Sequence, residues 1–535
     1  MDSYLPMGSF DCAKAGLSDG LPIPVAGRLF LQSPLISKSC AGSGGRLAIS
    51  RHWALFSLVV GLAVAGCSGG TAKTNPPPPP TLIPSLQPYA TPTGTVSTYT
   101  TAGTINPSGI FFTALGTNQR SCTTCHQLNQ GMSLSSASVQ ALFTSSNGTD
   151  PLFAAVDGAN CPTVAVGDSA GHSLMLNNGL IRIGVAPPAG AQFQIAVAQD
   201  PYGCAKVPNA TTGQENDSVY RRPLPATSLT SLSGVMWDTR FTLSPLNSSA
   251  TLSANLDADL GAQAANAVAT HEQGTANLSA AQLIEVEAFE EGLFTAEATD
   301  TDAGTLSSGG ATGGAAALAA QNFYPGINDA FGGDPQGAAF NPVVFTLFAA
   351  WENSTNPAQA SIARGEDIFN SAPMVIENVR GLNDNAALGS PATFAGTCGT
   401  CHDAPNIGTH SLGLTFDIGT SVLAANETDP NILNGLEELT PPALPVYQIT
   451  GCTDASGNAV MYVTTDPGVG LFSGQCADVN RLKVPGLRGL AARAPYFHNG
   501  SAASLEDVVK FYDQRFQMNL NPQQQLDLAH FLSAL

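Results

Sequence analysis

Basic residues are scarce: 20 Lys and Arg stand against 40 Asp and Glu in 535 residues, a formal net charge of −20. Nucleic-acid partners need a cationic face that neutralises phosphates, which excludes them as a function class here. Charge of either sign is sparse at 11 %, and aromatics make up 7 %. Long apolar runs are almost absent. The run Trp53–Ala65 is too short to span a bilayer as a mature helix. Elsewhere Gly, Pro or charge breaks each apolar stretch, so no further spanning helix is expected.

What is present is cysteine in a pattern. Cys122-Thr123-Thr124-Cys125-His126 and Cys398-Gly399-Thr400-Cys401-His402 are two copies of Cys-x-x-Cys-His. This is the attachment motif for c-type haem: both thiols form thioethers to the porphyrin vinyl groups, and the His reaches the iron. A dithiol redox pair would sit in a βαβ setting that neither copy has. A four-thiolate zinc site would leave both His residues as coincidence. Two covalently bound haem c groups are therefore expected, held by Cys122, Cys125, His126, Cys398, Cys401 and His402, with His126 and His402 as iron ligands.

Such cofactors are attached outside the cytoplasm, and the N-terminal region agrees. Arg51 and His52 precede the apolar run, which ends Val64-Ala65-Gly66-Cys67. That ending looks like a bacterial lipoprotein cleavage site, with Cys67 as the lipidated residue. Ser68 after it suits delivery to the outer membrane, giving a periplasmic or cell-surface location. Residues 1–50 form an unexplained leader, 51–67 the signal, and 68–95 a Gly/Pro-rich tether that includes the tract Pro76–Pro80. Of 11 cysteines, four carry haem, Cys67 takes lipid, and Cys12 and Cys40 lie in the leader. Cys161, Cys204, Cys452 and Cys476 remain, an even number that suggests disulfides in an oxidising compartment. Three connectivities are open; sequence neighbourhood favours Cys161–Cys204 and Cys452–Cys476.

The two motifs lie too far apart for one haem domain. An N-terminal haem domain is expected over 96–355 and a C-terminal one over 356–535, both mainly α, with loop-rich insertions. Helices are read over 255–273, 279–294 (Ser279 as cap), 505–516 (Ser504 opening a capping box) and from Pro522, where Asn521-Pro522 starts a terminal helix with Leu526, Ala529, Leu532 and Leu535 on its apolar face. Residues 300–340 read as loop, and 127–235 as irregular with strand-like pieces such as 193–197.

Three segments carry a specific resemblance: Lys483-Val484-Pro485-Gly486-Leu487-Arg488, Ala494-Pro495-Tyr496-Phe497-His498-Asn499-Gly500-Ser501, and Leu505–Tyr512. They resemble the C-terminal signature of the bacterial dihaem cytochrome c peroxidases and of their relative, the methylamine-utilisation dihaem enzyme. Val235-Met236-Trp237-Asp238-Thr239-Arg240 is similar to the family's Trp-Asp-Gly-Arg segment, with Thr239 in place of Gly. The resemblance implies that the N-terminal haem meets hydrogen peroxide, that the C-terminal haem receives electrons from a small donor such as a cytochrome c or cupredoxin, and that Trp237 relays charge between them. An acidic surface suits a donor with a basic docking patch. The sixth ligand of the second iron is expected to be Tyr512, fourteen residues after His498, with Met518 or Met461 as alternatives.

On the distal side of the first haem the match fails. The peroxidases carry a Glu ten residues after the Gln that is here Gln263, and the ungapped position is Gln273. Peroxide cleavage needs a group that moves a proton between the two oxygens. Glu272 and His271 flank Gln273 and offer that chemistry, so Trp237, His271, Glu272 and Gln273 are the catalytic candidates. Calcium at the domain interface is an open expectation, since the carbonyls of Arg493 and Pro495 match the family while Arg222 falls at its Asn position. The leading function is a dihaem peroxidase. A dihaem oxygenase or protein-modifying high-valent haem enzyme, and a non-catalytic electron-transfer cytochrome, are the alternatives. If Cys67 carries the anchor, Cys67→Ser will move the protein from the membrane to the soluble fraction; a wild-type protein already soluble and insensitive to globomycin would contradict lipidation.

Overall fold

A computed structural model describes residues 81–209, 213–242, 255–421, 442–454 and 456–535. The leader, the signal with Cys67 and the Pro76–Pro80 tract lie outside the described residues. The helices form where capping chemistry starts them. Ser279 and Gln282 cap Ala280–Glu291 reciprocally, Ser504 and Asp507 cap Leu505–Arg515, and Asn521 and Gln524 cap Pro522–Ser533 with Pro at its first turn. Asn356 accepts from Ala358 and Gln359 to open Pro357–Ser371. The helix Leu256–Thr270 ends sooner than the 255–273 expected from sequence.

The expectation of a mainly α fold is corrected. Helix accounts for 29 % and strand for 18 %, in several small antiparallel sheets. The largest sheet runs Gly304–Thr305, Leu293–Asp300, Gly94–Thr100, Pro88–Ala90. Its central segments are Thr-rich, and these β-branched residues fit a pleated surface. Cross-strand hydroxyl pairs tie them, Thr95 to Thr299 at 2.7 Å and Thr98 to Thr295 at 2.9 Å. Residues 83–95, expected as tether, thus contribute strands instead, because Ile83–Pro84 and Pro88–Ala90 find antiparallel partners. Part of 300–340, expected as loop, forms the helix Ala315–Ala319 and the strand Gly304–Thr305.

Two three-stranded sheets follow: Ile181–Val185 with Glu215–Arg221 and Lys206–Pro208, and Gln194–Gln199 with Val446–Thr453 and Ala459–Thr464. The second joins the stretches either side of the 355/356 boundary, and the described residues from 81 onward pack as one unit. Both disulfides favoured by neighbourhood are formed, Cys161–Cys204 and Cys452–Cys476, each beside one of these sheets. Loops closed by disulfides of this span gain about 3–4 kcal/mol in the chain-entropy model. The largest core cluster holds Phe345, Phe348, Trp351, Phe369 and Phe531. Here the helices Pro357–Ser371 and Pro522–Ser533 cross at Gly365, where a Cβ would lie 2.0 Å from the Asp527 carbonyl. In the terminal helix Ala529 and Leu532 are buried as expected, but Leu526 is 45 % exposed and Leu528 and Phe531 take the inner face. Among the described residues no helix is long and apolar enough to cross a membrane.

Candidate functional site

The two Cys-x-x-Cys-His segments fold alike. Each is a single 3₁₀ turn, Cys122–Thr124 and Cys398–Thr400, whose preceding amide, Ser121 or Thr397, donates to the Thr124 or Thr400 hydroxyl at 3.0 Å. The His amide then donates to the first Cys carbonyl, at 3.0 Å for His126 and 3.1 Å for His402. The ring Nδ1 of His126 lies 3.2 Å from the Met132 carbonyl, and that of His402 lies 2.6 Å from the Gly408 carbonyl. A carbonyl only accepts, so Nδ1 carries the proton in both rings and each Nε2 presents a lone pair. Burial lowers both imidazoles to about 4 and keeps them neutral. Burial also raises all four motif thiols, Cys125, Cys398 and Cys401 to about 12. None of the four is in a disulfide.

Each motif opens into its own cavity. Cys122, Cys125 and His126 line the first, and Cys398, Cys401 and His402 the second; they hold about 190 and 180 Å³ of space for water-molecule centres. The cavities share a wall. Arg222, Pro223, Trp237, Lys483, Pro485 and Gly486 line both. Trp237 donates its Nε1–H to the Arg222 carbonyl at 2.8 Å and meets His498 edge-on, ring centroids 6.2 Å apart. The Trp237 turn is strained: Met236 and Thr239 flank it with φ of +73° and +58°. A β-branched residue at positive φ is disfavoured, and Thr239 is the position where the resemblance has Gly.

Cations gather in these walls although the chain is acidic. Arg488, buried in the first cavity, has no hydrogen-bond partner on any of its three guanidinium nitrogens. Burial lowers it to about 10 and Lys483 to about 8, so both remain largely protonated at neutral pH. An unpaired buried guanidinium facing a cavity suits a carboxylate-bearing occupant. Two thiols, an imidazole lone pair and anion-seeking walls together fit a haem c group with its propionates.

His271, Glu272 and Trp237 line the first cavity, but Gln273 does not. The helix stops at Thr270, Gln273 turns at φ +55° and its side chain is exposed. An ungapped count assumes a continuous helix, and here the helix has already ended. His271 Nδ1 donates to the Asp157 carboxylate, whose other oxygen takes Arg120. Burial pushes Asp157 up, but Arg120 and His271 outweigh it and hold the carboxyl below the usual range. The pairing leaves His271 Nε2 as the ring nitrogen that Asp157 does not engage. Glu272 is turned aside: its Oε2 accepts from the Leu115 amide at 2.9 Å and its Oε1 lies 3.9 Å from Cys122 Sγ. Sequence reading missed Asp157, Arg120 and Glu290. Glu290 lines the first cavity with an unpartnered Oε2, and burial raises it to about 8. No local signal marks these residues, since they meet only in the fold.

In the second cavity Tyr512 and Met518 both line the wall, while Met461 lies outside it, 37 % exposed on the strand Ala459–Thr464. Burial, then the Cys401 and Cys398 thiols, push the Tyr512 phenol far up, so it is neutral unless a cation stabilises its phenolate. The Arg493 carbonyl on which the calcium expectation rests already accepts from the Arg222 guanidinium at 2.7 Å, which also donates to the carbonyls of Leu134 and Asn178. That position does not fit calcium.

No family model matches the chain. It is 32 % identical over 122 residues to a cytochrome-c peroxidase, IdrP2, of Denitromonas iodatirespirans, covering 23 % of this chain and 29 % of that protein. The chain thus spans under a third of that relative's length, and the likeness supports a peroxidase-like relationship at most. If a haem iron occupies the second cavity, Tyr512→Phe is expected to change its spin state and charge-transfer bands while Met518→Leu leaves them. The opposite pattern assigns Met518.

Proposed function

We propose that the protein is a dihaem c-type oxidoreductase that reduces hydrogen peroxide at the N-terminal haem with electrons received through the C-terminal haem. The observation that carries this reading is the pair of identically folded Cys-x-x-Cys-His turns, each facing a cavity, with Trp237 in the shared wall. Cys122, Cys125 and His126 would hold one haem, and Cys398, Cys401 and His402 the other with Tyr512 as its further ligand. Haem c, when bound, supplies the iron that exchanges electrons with the oxidant. Arg488 and Lys483 then neutralise carboxylates in the walls. Arg222 fixes the indole of Trp237 between the two cavities through its carbonyl. His271, oriented by Asp157, accepts and returns a proton at Nε2, the task assigned to a general base held by a third group. Glu272, held by the Leu115 amide, serves packing at Cys122.

The match to IdrP2 supports peroxide as oxidant and a redox partner in general. The finer assignments are ours: a small cytochrome c or cupredoxin with a basic patch as donor, and a periplasmic or cell-surface location at the outer membrane through Cys67. Domains of 96–355 and 356–535, one for each haem, belong to the same proposal. Purified protein with a one-electron reductant should consume peroxide, and His271→Gln should lower turnover by about 10²–10⁴-fold, the usual worth of a positioned general base. Oxygen uptake without peroxide turnover would replace the reading with an oxygenase. Turnover of neither oxidant would leave an electron-transfer cytochrome.

A further inference from the structure

Outside both cavities, three buried side chains converge with open valences. Asp329, Asp403 and His410 are each at most 1 % exposed, and one potential donor atom from each lies within 4.8 Å of the other two. Their remaining atoms are spoken for. Asp329 Oδ2 accepts the amides of Phe331 at 3.0 Å and Gly333 at 2.6 Å, and Asp403 Oδ1 accepts the amide of Ser411 at 2.6 Å. The backbone thus fixes each carboxylate by one oxygen and leaves the other unused. Asp329 Oδ1, Asp403 Oδ2 and both ring nitrogens of His410 have no hydrogen-bond partner. Asp403 Oδ2 and His410 Nδ1 approach to 2.8 Å as an ion pair, while Asp329 Oδ1 and His410 Nε2 face no partner. His410 is held in place by stacking on Phe416, centroids 5.5 Å apart, and by Phe331 at 5.8 Å.

Asp329 Oδ1 and His410 Nε2 are left with no partner at all, and a buried polar atom left unmade is costly, so this arrangement calls for an occupant. We propose that Asp329, Asp403 and His410 bind one first-row divalent metal ion. Bond lengths of about 2.0–2.2 Å to N and O donors place neighbouring ligand atoms roughly 3–4 Å apart, within the observed spread. Two carboxylates and an imidazole suit zinc or manganese. Calcium is excluded by donor type and number, since it takes 6–8 oxygens. A dication also cancels the two carboxylate charges in a place water does not reach. The ion would staple the 324–334 loop to the loop that follows His402, two segments already joined by Gly326 N–H to Ser411 O at 3.0 Å and Asn328 Nδ2 to Asp403 O at 3.0 Å. The site is distinct from either proposed iron, because none of its three residues lines a cavity.

The test uses the full-length holoprotein, stripped with a chelator, loaded with zinc chloride, desalted and analysed for zinc, iron and protein. One zinc per chain is expected, with a rise in unfolding temperature over the stripped sample. Asp329→Asn and His410→Gln should each weaken zinc retention about tenfold or more, because even outer-shell partners of a metal are worth 10–100-fold. Their unchanged iron-to-protein ratio shows that the fold survives. Wild-type protein that retains no zinc and shows no thermal shift overturns the proposal and makes the cluster an imidazolium between two carboxylates. Zinc retained equally by wild type and both variants overturns it as well.

Discussion

Two consecutive arginines hold the wall that both cavities share. Arg221, leaving the strand Glu215–Arg221, binds Asp238 beside Trp237 at 2.6 Å and grips Asp466 with two nitrogens at 2.6 and 2.8 Å. All three groups are buried, and removing one partner of such a set costs about 3–5 kcal/mol because a charge is left stranded. Arg222 turns the other way. Its amide donates to the His498 carbonyl at 2.7 Å, its own carbonyl receives Trp237, and its guanidinium collects three carbonyls from three separate segments. The backbone of one residue therefore sets Trp237 against His498. Without this node the N-terminal strands, the Trp237 turn and the Tyr496–Gly500 segment have no common anchor.

Around the node the electrostatics invert the character of the chain. A protein with 20 basic residues and a charge of −20 places Arg120, Arg222, Lys483, Arg488 and Arg493 in cavity walls. Burial lowers Arg222 to about 9 and Arg493 to about 10. The first cavity alone adds carboxyls, Glu272 and Glu290, and the paired His271. Carboxyl groups are thus confined to one cavity and Tyr512 to the other. That asymmetry between two otherwise matching motifs is the physical basis for assigning them different tasks.

What could be read from sequence was whatever lies close along the chain. The Cys-x-x-Cys-His turns, the caps at Ser279, Ser504 and Asn521, and the two disulfides each depend on residues near one another in sequence or on counting. The sheets were not legible, because Gly94–Thr100 pairs with Leu293–Asp300 some two hundred residues away and neither alternates cleanly enough to declare a partner. The mainly α reading failed for that reason. Gln273 was misplaced by counting through a helix that ends at Thr270, and Leu526 by assigning an inner face from one stripe alone. Asp157 and Glu290 acquire meaning only from burial and from the partners that the fold brings or withholds. Such properties belong to the fold and leave no trace in local pattern.

The account rests on both motifs carrying the same cofactor. Its most direct test is the mass of the purified, denatured protein together with its pyridine haemochrome spectrum, for wild type and for Cys398→Ala/Cys401→Ala. Two covalent haems per chain in the first and one in the second are the predicted result. A wild-type chain with one covalent haem, or none, would contradict it.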